Sequence, residues 1–534
     1  MTAAVAARSS VVIPRCMLVV AVLCKLSQLG GSSAYERSTR ELRDSSTEEA
    51  DDPLFLTPYI ENHDTSTARA KSVVSLFAVD YGIPDVHSGY ITVNDTAGTN
   101  LFFMLIKRGD RKSLDDMAAS STPLLLWLQG GPGQTSLLGE FLENGPLGLQ
   151  GDGKLYRRKH ALTEQLDVVY LDQPAGAGYS FTKDITNGFA RTLEDMSRDT
   201  VEFLRQFLIL FPEYNGRDFY IAGESYGSRI SLSTAYRLHR DPSKVNATLK
   251  GVIHGVGFWF PIVSALDTSN YFRALGLLDH NGYKMLSERA ANITALISEG
   301  KNSEALSLMG KSFWISKNES DPTLFQKLTG YEFVGNVLQS KEPPVFRKFE
   351  ELARKSHFRK AIHVGKEAPY RAYNKNLRSN LLPDYFRDLT DMAVAIMNNY
   401  KVLVYVGQLD ATFAQDRTHT FFSDLPWHGT EDFNAADHRI WYVNEGDARS
   451  AGYVTCVRNF TYVTLARAGH YPGHDEPEAT ADMFFRFIND RFEGPVPRGY
   501  GTPEDTNGKE STQQRCATTL LLYLTTSAAL LLQV

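Results

Sequence analysis

A chain of 534 residues, 43% apolar and 11% aromatic, is long enough to bury one large core plus an inserted subdomain, although length alone allows three domains. The formal net charge of −6, with no long basic run, argues against nucleic acid as a partner.

Residues 1–34 have the layout of a secretory signal peptide: Arg8 and Arg15, the apolar stretch Met17 to Leu23, then the small residues Gly30-Gly31-Ser32-Ser33-Ala34. The apolar stretch is short for an uncleaved membrane anchor. Residues 35–70 read as a polar leader or propeptide, because Glu36 to Asp52 is charged and lacks an apolar period. A first part of the main core is expected over 71–257. Within it Pro123 to Leu128 reads as a strand emptying into Gln129-Gly130-Gly131-Pro132-Gly133, and Val168 to Leu171 as a short buried strand. Thr192 to Phe211 is a predicted helix, with Val201, Leu204, Leu208 and Phe211 along one face. The strand-like Asp218 to Ala222 then runs into Gly223-Glu224-Ser225-Tyr226-Gly227. This fits a nucleophile elbow, in which flanking glycines permit the strained turn that lifts a serine hydroxyl out of a sheet.

After a strand near Val252-Ile253 the alternation of strands and helices breaks off. Residues 258–375 form a helical, Lys- and Ser-rich passage, expected to be a cap over the carboxyl ends of the strands. The second core part is placed at 376–492. Here Lys401 to Val406 reads as a buried strand that ends in Gly407-Gln408-Leu409-Asp410, and Phe460 to Leu465 as another that delivers Ala468-Gly469-His470. A last helix follows Pro477 and turns Met483, Phe484, Phe487 and Ile488 to the core. Residues 493–515 are a Pro/Gly-rich polar linker, and 516–534 an apolar tail with nothing basic behind it. That ending suits a GPI-attachment signal, with Asn507, Gly508 or Ser511 as attachment residue; a retained tail anchor is the alternative.

A serine nucleophile needs a base for its proton and an acid that orients the base, and these need to be near only in space. The chain order Ser225, Asp410, His470, each where a strand gives way to a loop, is that of an α/β-hydrolase: a mostly parallel sheet with helices on both faces. The glycine-rich turn after Leu128 suits backbone N–H donors to an oxyanion. It lacks both the Gly-Lys-Ser/Thr ending of a phosphate loop and the spacing of a dinucleotide fold. His470, His474 and Asp475 invite a metal reading, which is rejected because no second histidine and carboxylate cluster accompanies them; no metal or other cofactor is expected.

Trp127-Leu128-Gln129-Gly130-Gly131-Pro132-Gly133, Glu143-Asn144-Gly145-Pro146, Leu171-Asp172-Gln173-Pro174, the elbow and Ala468-Gly469-His470 together resemble the serine carboxypeptidase family over roughly residues 70 to 492. The Gln129 spelling is most similar to its vitellogenic carboxypeptidase-like branch. The resemblance implies an exopeptidase that releases C-terminal amino acids from peptides through an acyl-enzyme on Ser225, with His470 as acid/base and Asp410 orienting it. It also implies an oxyanion hole from the N–H groups of Gly131 and Tyr226, and a clamp for the substrate carboxylate at Trp127, Gln129, Glu143 and Glu224. Carboxyls beside a carboxylate bind favourably only if they share a proton, so an acidic optimum is expected. The family pattern has Asn where this chain has Gln129, Cys where it has Gln134, and a small residue near Ser228-Arg229, so side-chain volume at the elbow is expected to affect which peptides fit. Acyl transfer or ester hydrolysis on the same scaffold, and a catalytically silent binding protein, stand as alternatives.

Sequons at Asn94, Asn246, Asn292, Asn318 and Asn459 support entry into the secretory pathway, with the cell surface, the exterior or an acidic lysosome-like compartment as destination. If the signal and tail are removed, Cys16, Cys24 and Cys516 leave with them and Cys456 stays behind.

Overall fold

The computed structural model describes residues 52–492 except 84, 110–120, 317, 319, 366–369 and 373. The segments read as signal peptide, linker and apolar tail, and residues 35–51 of the polar leader, lie outside the described residues.

Among the described residues thirteen strands arise in chain order: β1 (Val86–Asn94), β2 (Thr99–Ile106), β3 (Leu124–Leu128), β4 (Leu147–Leu149), β5 (Leu155–Arg157), β6 (Asp167–Leu171), β7 (Phe181–Thr182), β8 (Asp218–Glu224), β9 (Thr248–Gly255), β10 (Lys401–Gly407), β11 (Arg439–Trp441), β12 (Gly452–Val457) and β13 (Phe460–Leu465). Eleven form one sheet in the order β1-β2-β6-β3-β8-β9-β10-β13-β12-β11, with β7 on β2; β4 and β5 pair separately. The run β6-β3-β8-β9-β10-β13 is parallel, and the pairs at both margins are antiparallel. Continuous apolar sequence marks the parallel strands because both faces are covered: every residue of β3 and β6 is buried. Since β8, β10 and β13 run the same way near the middle of the sheet, the loops carrying Ser225, Asp410 and His470 emerge at one end.

Helix Leu193–Leu210 begins with a reciprocal cap. Thr192 Oγ1 accepts from Asp195 N (3.1 Å), and Asp195 Oδ2 accepts from Thr192 N (3.2 Å). The predicted face Val201, Leu204, Leu208 and Phe211 is buried, and so are Phe203 and Phe207, whose rings pack edge-on at 5.4 and 5.7 Å against Phe103 of β2. The helix is therefore covered on more than one side. Its neighbour is the elbow helix Gly227–Arg240, where Ser233 Oγ donates to Leu193 O (3.2 Å).

The reading of 35–70 as a leader needs correcting at its end, because residues 54–72 are part of the fold. Leu56 N donates to Tyr90 O (2.8 Å), Tyr90 N donates to Leu54 O (2.9 Å), and Leu56 and Ala68 are fully buried. Among the described residues between β9 and β10 there is no strand of the main sheet. The chain there forms helices at His280–Ser298, Asn302–Gly310, Pro344–Arg354 and Thr390–Asn399, among others. Part of this passage builds a small core of Phe272, Leu286, Leu324, Phe325 and Val337 that reaches Ala411, next to Asp410.

Candidate active site

Ser225 follows β8 with φ of +54°, a left-handed conformation that non-glycine residues hold only when their surroundings impose it. The constraint comes from both sides. Ser225 N donates to Gly255 O at the end of β9 (2.9 Å), while Ser225 O accepts from Ser228 N (3.1 Å) and Ser228 Oγ (2.7 Å). Gly227 admits no side chain, because a Cβ there would lie 2.2 Å from Leu128 O of β3. Gly130 is equally confined: its Cβ would fall 2.6 Å from Ser225 Cβ and 3.0 Å from Tyr226 N. The glycine turn after β3 and the elbow after β8 are thus in direct backbone contact, which brings Gly131 and Tyr226 onto adjoining segments.

Asp410 lies just past β10 and His470 just past β13. Asp410 Oδ1 accepts from Thr412 N (2.7 Å) and Phe413 N (3.1 Å), and its Oδ2 is 2.9 Å from His470 Nδ1. An ionised carboxylate there holds the hydrogen on Nδ1 and leaves Nε2 basic. Burial pushes the imidazole toward neutrality, but the Asp410 carboxylate outweighs it and the net shift of His470 is upward. The Phe413 ring stands 5.7 Å from His470 and 5.1 Å from Phe258, whose ring is 6.2 Å from Tyr226. An aromatic chain therefore joins the imidazole to the elbow, and the charges of His470 and Glu224 perturb one another.

Trp127, Gln129, Glu143 and Glu224 are assembled in one buried cluster. Gln129 Oε1 accepts from Trp127 Nε1 (2.9 Å), while Gln129 Nε2 donates to Glu224 Oε2 (3.2 Å) and, more distantly, to Glu143 Oε1 (3.4 Å). Glu143 sits on a π-helical turn, Gly139–Asn144, a geometry frequent at functional sites. Burial, and then the negative charge of Glu224, hold the Glu143 carboxyl well above the usual range. Glu224 is raised as well, by burial, against the stabilising hydrogen bond from Tyr405 OH (2.6 Å). Both shifts favour a proton held within this pair, of which Glu224 directly precedes Ser225. The longer Gln129 side chain spans both acids with one amide.

Sequence reasoning missed the residues that brace this site. Asp475 Oδ2 accepts from Gly469 N (2.8 Å) and from Asn336 Nδ2 (2.8 Å), so it organises the loop carrying His470. His470 N donates to Gly335 O (2.5 Å), Val337 N to Leu409 O (3.0 Å), and Thr412 Oγ1 to Val334 O (3.0 Å). Segment 334–337 is therefore threaded between the Asp410 and His470 loops. Asp475 was visible only as a member of a histidine-rich cluster; Tyr405 looked like any strand residue. Arg229, at the elbow position where side-chain volume was expected to matter, is fully buried and directed to Asp384 (Nε to Oδ2, 3.0 Å), and Ser228 is fully buried beside it. Among the sequon asparagines, Asn246, Asn292, Asn318 and Asn459 are exposed and Asn94 is half-buried. Among the described residues no group of three or more His, Cys, Asp or Glu side chains is arranged to hold a metal ion, and no helix is long and apolar enough to cross a membrane. A cavity of about 640 Å³ lined by Arg108, Arg157, Arg158 and Lys159 lies apart from the catalytic candidates, none of which lines it.

The parallel sheet, the elbow serine and the buried Asp–His pair at the carboxyl ends of its strands define an α/β-hydrolase. The sequence pattern of the serine carboxypeptidase family matches residues 83–490, and the chain belongs to that family of serine-type carboxypeptidases. It is 34% identical over 447 residues to the venom serine carboxypeptidase of Apis mellifera, covering 83% of this chain and 92% of that protein. It is 30% identical to the vitellogenic carboxypeptidase of Aedes aegypti, covering 83% and 91%. The crystal structure of Kex1(delta)p, a prohormone-processing carboxypeptidase from Saccharomyces cerevisiae, superimposes with a TM-score of 0.64 at 21% identity, covering 76% of this chain and 92% of that one, which bears on the fold alone.

Proposed function

We propose that this protein releases single amino acids from the free C-termini of peptides through an acyl-enzyme on Ser225. The observation that carries the reading is the pair Glu143 and Glu224 bridged by the Gln129 amide, with Glu224 immediately before the elbow serine. A hydrolase of esters has no need of two buried acids that hold a proton beside its nucleophile. A site that accepts a carboxylate does, because shared protons turn like-charge repulsion into hydrogen bonding.

In this reading Ser225 Oγ attacks the carbonyl of the last peptide bond and its proton passes to His470 Nε2. The developing oxyanion faces the N–H groups of Gly131 and Tyr226. The C–N bond breaks, the leaving amine takes the proton from His470, and the terminal amino acid departs. Water then attacks the acyl-enzyme with His470 again as base. Asp410 holds the imidazole tautomer throughout. Trp127, Gln129, Glu143 and Glu224 grip the substrate carboxylate, and the passage between β9 and β10 caps the cleft. The family match favours peptide release over ester hydrolysis, acyl transfer or silent binding on the same scaffold.

Two opposing requirements set the pH range. His470 must lose its proton to act as base, and the glutamate pair must keep one to hold the substrate. Turnover of peptides is therefore expected to decline as pH rises through loss of the shared proton and to decline as pH falls through protonation of His470, whose net shift is upward; an acidic optimum requires that the first decline set in early. Secretory processing fits the same picture: the signal layout precedes the fold, and four of the five sequon asparagines are exposed. The apolar tail is read as a GPI signal or a retained anchor, and phosphatidylinositol-specific phospholipase C separates the two by releasing only the first.

A fluorophosphonate probe followed by peptide mapping tests the nucleophile. The adduct is expected on Ser225, together with loss of peptide-releasing activity. Labelling elsewhere, with activity intact, rejects the reading.

A further inference from the structure

The buried dipeptide Asp384-Tyr385 touches both segments that supply the oxyanion donors assigned above. Tyr385 OH donates to Gly131 O (2.9 Å), and Tyr226 OH donates to Asp384 Oδ2 (2.8 Å). Asp384 is itself held by Arg229 of the elbow helix, whose Nε donates to the same Oδ2 (3.0 Å). The remaining nitrogens of Arg229 are taken by backbone oxygens, with Nη1 on Phe260 O (3.1 Å) and Nη2 on Asp384 O (2.7 Å) and Arg387 O (2.9 Å). Its guanidinium lies 4.8 Å from the centre of the Phe258 ring. Tyr385 stacks on Phe258 at 5.9 Å and meets Tyr226 at 5.3 Å.

Two of the three guanidinium nitrogens, Nε and Nη2, are thus spent on fixing segment 384–387 while Nη1 holds Phe260 O, and that segment grips the glycine turn on one side and the residue after Ser225 on the other. A buried ion pair is weak evidence for stability, because desolvation offsets its attraction, but fully hydrogen-bonded pairs specify geometry. An oxyanion hole is the place where geometry matters most, since donors act only at about 2.7 to 3.1 Å from the developing charge.

We infer that Asp384 and Tyr385, held by Arg229, are positioning residues that set the spacing of the Gly131 and Tyr226 N–H donors and so couple the passage between β9 and β10 to transition-state stabilisation. The inference rests on the proposed oxyanion hole. Tyr385 needs only its hydroxyl for this task, so Tyr385→Phe keeps the ring stacking and removes the bond to Gly131.

The test compares the wild-type protein and Tyr385→Phe on a blocked dipeptide, with binding of a matching peptide aldehyde and with thermal melting. A misplaced donor is expected to lower kcat by about 10- to 100-fold. KM should stay within about threefold, and aldehyde affinity should fall in step with kcat/KM, because the hemiacetal oxygen uses the same donors. The melting temperature should stay within a few degrees. Unchanged kcat, or a change confined to KM, overturns the inference. If Tyr385→Phe fails to fold, the paired change Arg229→Met with Asp384→Asn leaves no uncompensated charge and is judged by the same criteria. Peptide release surviving in Ser225→Ala is a different failure, that of the underlying assignment.

Discussion

Gln129 offers one amide group to two buried carboxyls, and burial, working against that amide, favours a proton held between them. Two ionised glutamates at that depth repel, and burial already holds both above the ordinary range. Replacing Glu143 by Gln keeps the shape but removes an ionisable group. The expected outcome is a flatter alkaline decline in kcat/KM for peptides with a free carboxylate, with little change for the corresponding ester, measured as paired pH profiles. Ser225→Ala is expected to lower kcat by on the order of 10⁴ to 10⁶ with the substrate still bound, read by single-turnover kinetics and equilibrium binding. The residues whose chemistry these predictions address were readable as Gln129, Glu143, the elbow and the order of Asp410 and His470. Tyr405 was not readable: its hydroxyl reaches Glu224 from the next strand but one, and nothing in a buried apolar run marks which tyrosine ends at a carboxylate.

The parallel strands announced themselves because both of their faces are covered and their sequences are apolar throughout. The antiparallel margin and residues 54–72 did not. The latter are largely polar and join the fold through backbone bonds such as Leu56 N to Tyr90 O (2.8 Å), which carry no side-chain signature. The same blindness hid segment 334–337, whose contacts with the Asp410 and His470 loops are mostly main-chain. Asp475 anchors that arrangement by accepting from Gly469 N and Asn336 Nδ2. Asp475→Ala is therefore expected to reduce kcat by about 10- to 100-fold with little effect on KM, since the imidazole loses its backing rather than the substrate its contacts. Phe207 tests the opposite layer. Its ring is fully buried against Phe103 at 5.7 Å, and Phe207→Ala should destabilise the fold by about 3 to 5 kcal/mol in denaturant titration without altering the pH profile.

Across the whole molecule, buried acids predict how stability follows pH. Burial raises Glu140 to about 8, Asp172 to about 7 and Asp199 to about 6. A carboxyl raised in the folded state favours folding while it is protonated, and that contribution fades as pH climbs through the folded value. Buried His254, lowered to about 3, and His363, lowered to about 4, act in the other direction and weaken the fold as pH drops below the ordinary imidazole range. His419, His438 and His474 are lowered as well, but the raised acids, joined by Glu143, Glu224, Asp475 and Asp482, outnumber the lowered histidines. The melting temperature is thus expected to fall by several degrees between pH 5 and pH 8, a slope that calorimetry in matched ionic strength reads directly. Stability and the proposed clamp therefore favour the same acidic conditions. The most direct test is kcat/KM from pH 4.5 to 8 for a blocked dipeptide with a free C-terminus, set against the same peptide as its C-terminal amide. The expected result is strong preference for the free acid at low pH, shrinking as pH rises and weakened by Glu143→Gln. Equal turnover of acid and amide at every pH contradicts recognition of a terminal carboxylate by these two glutamates.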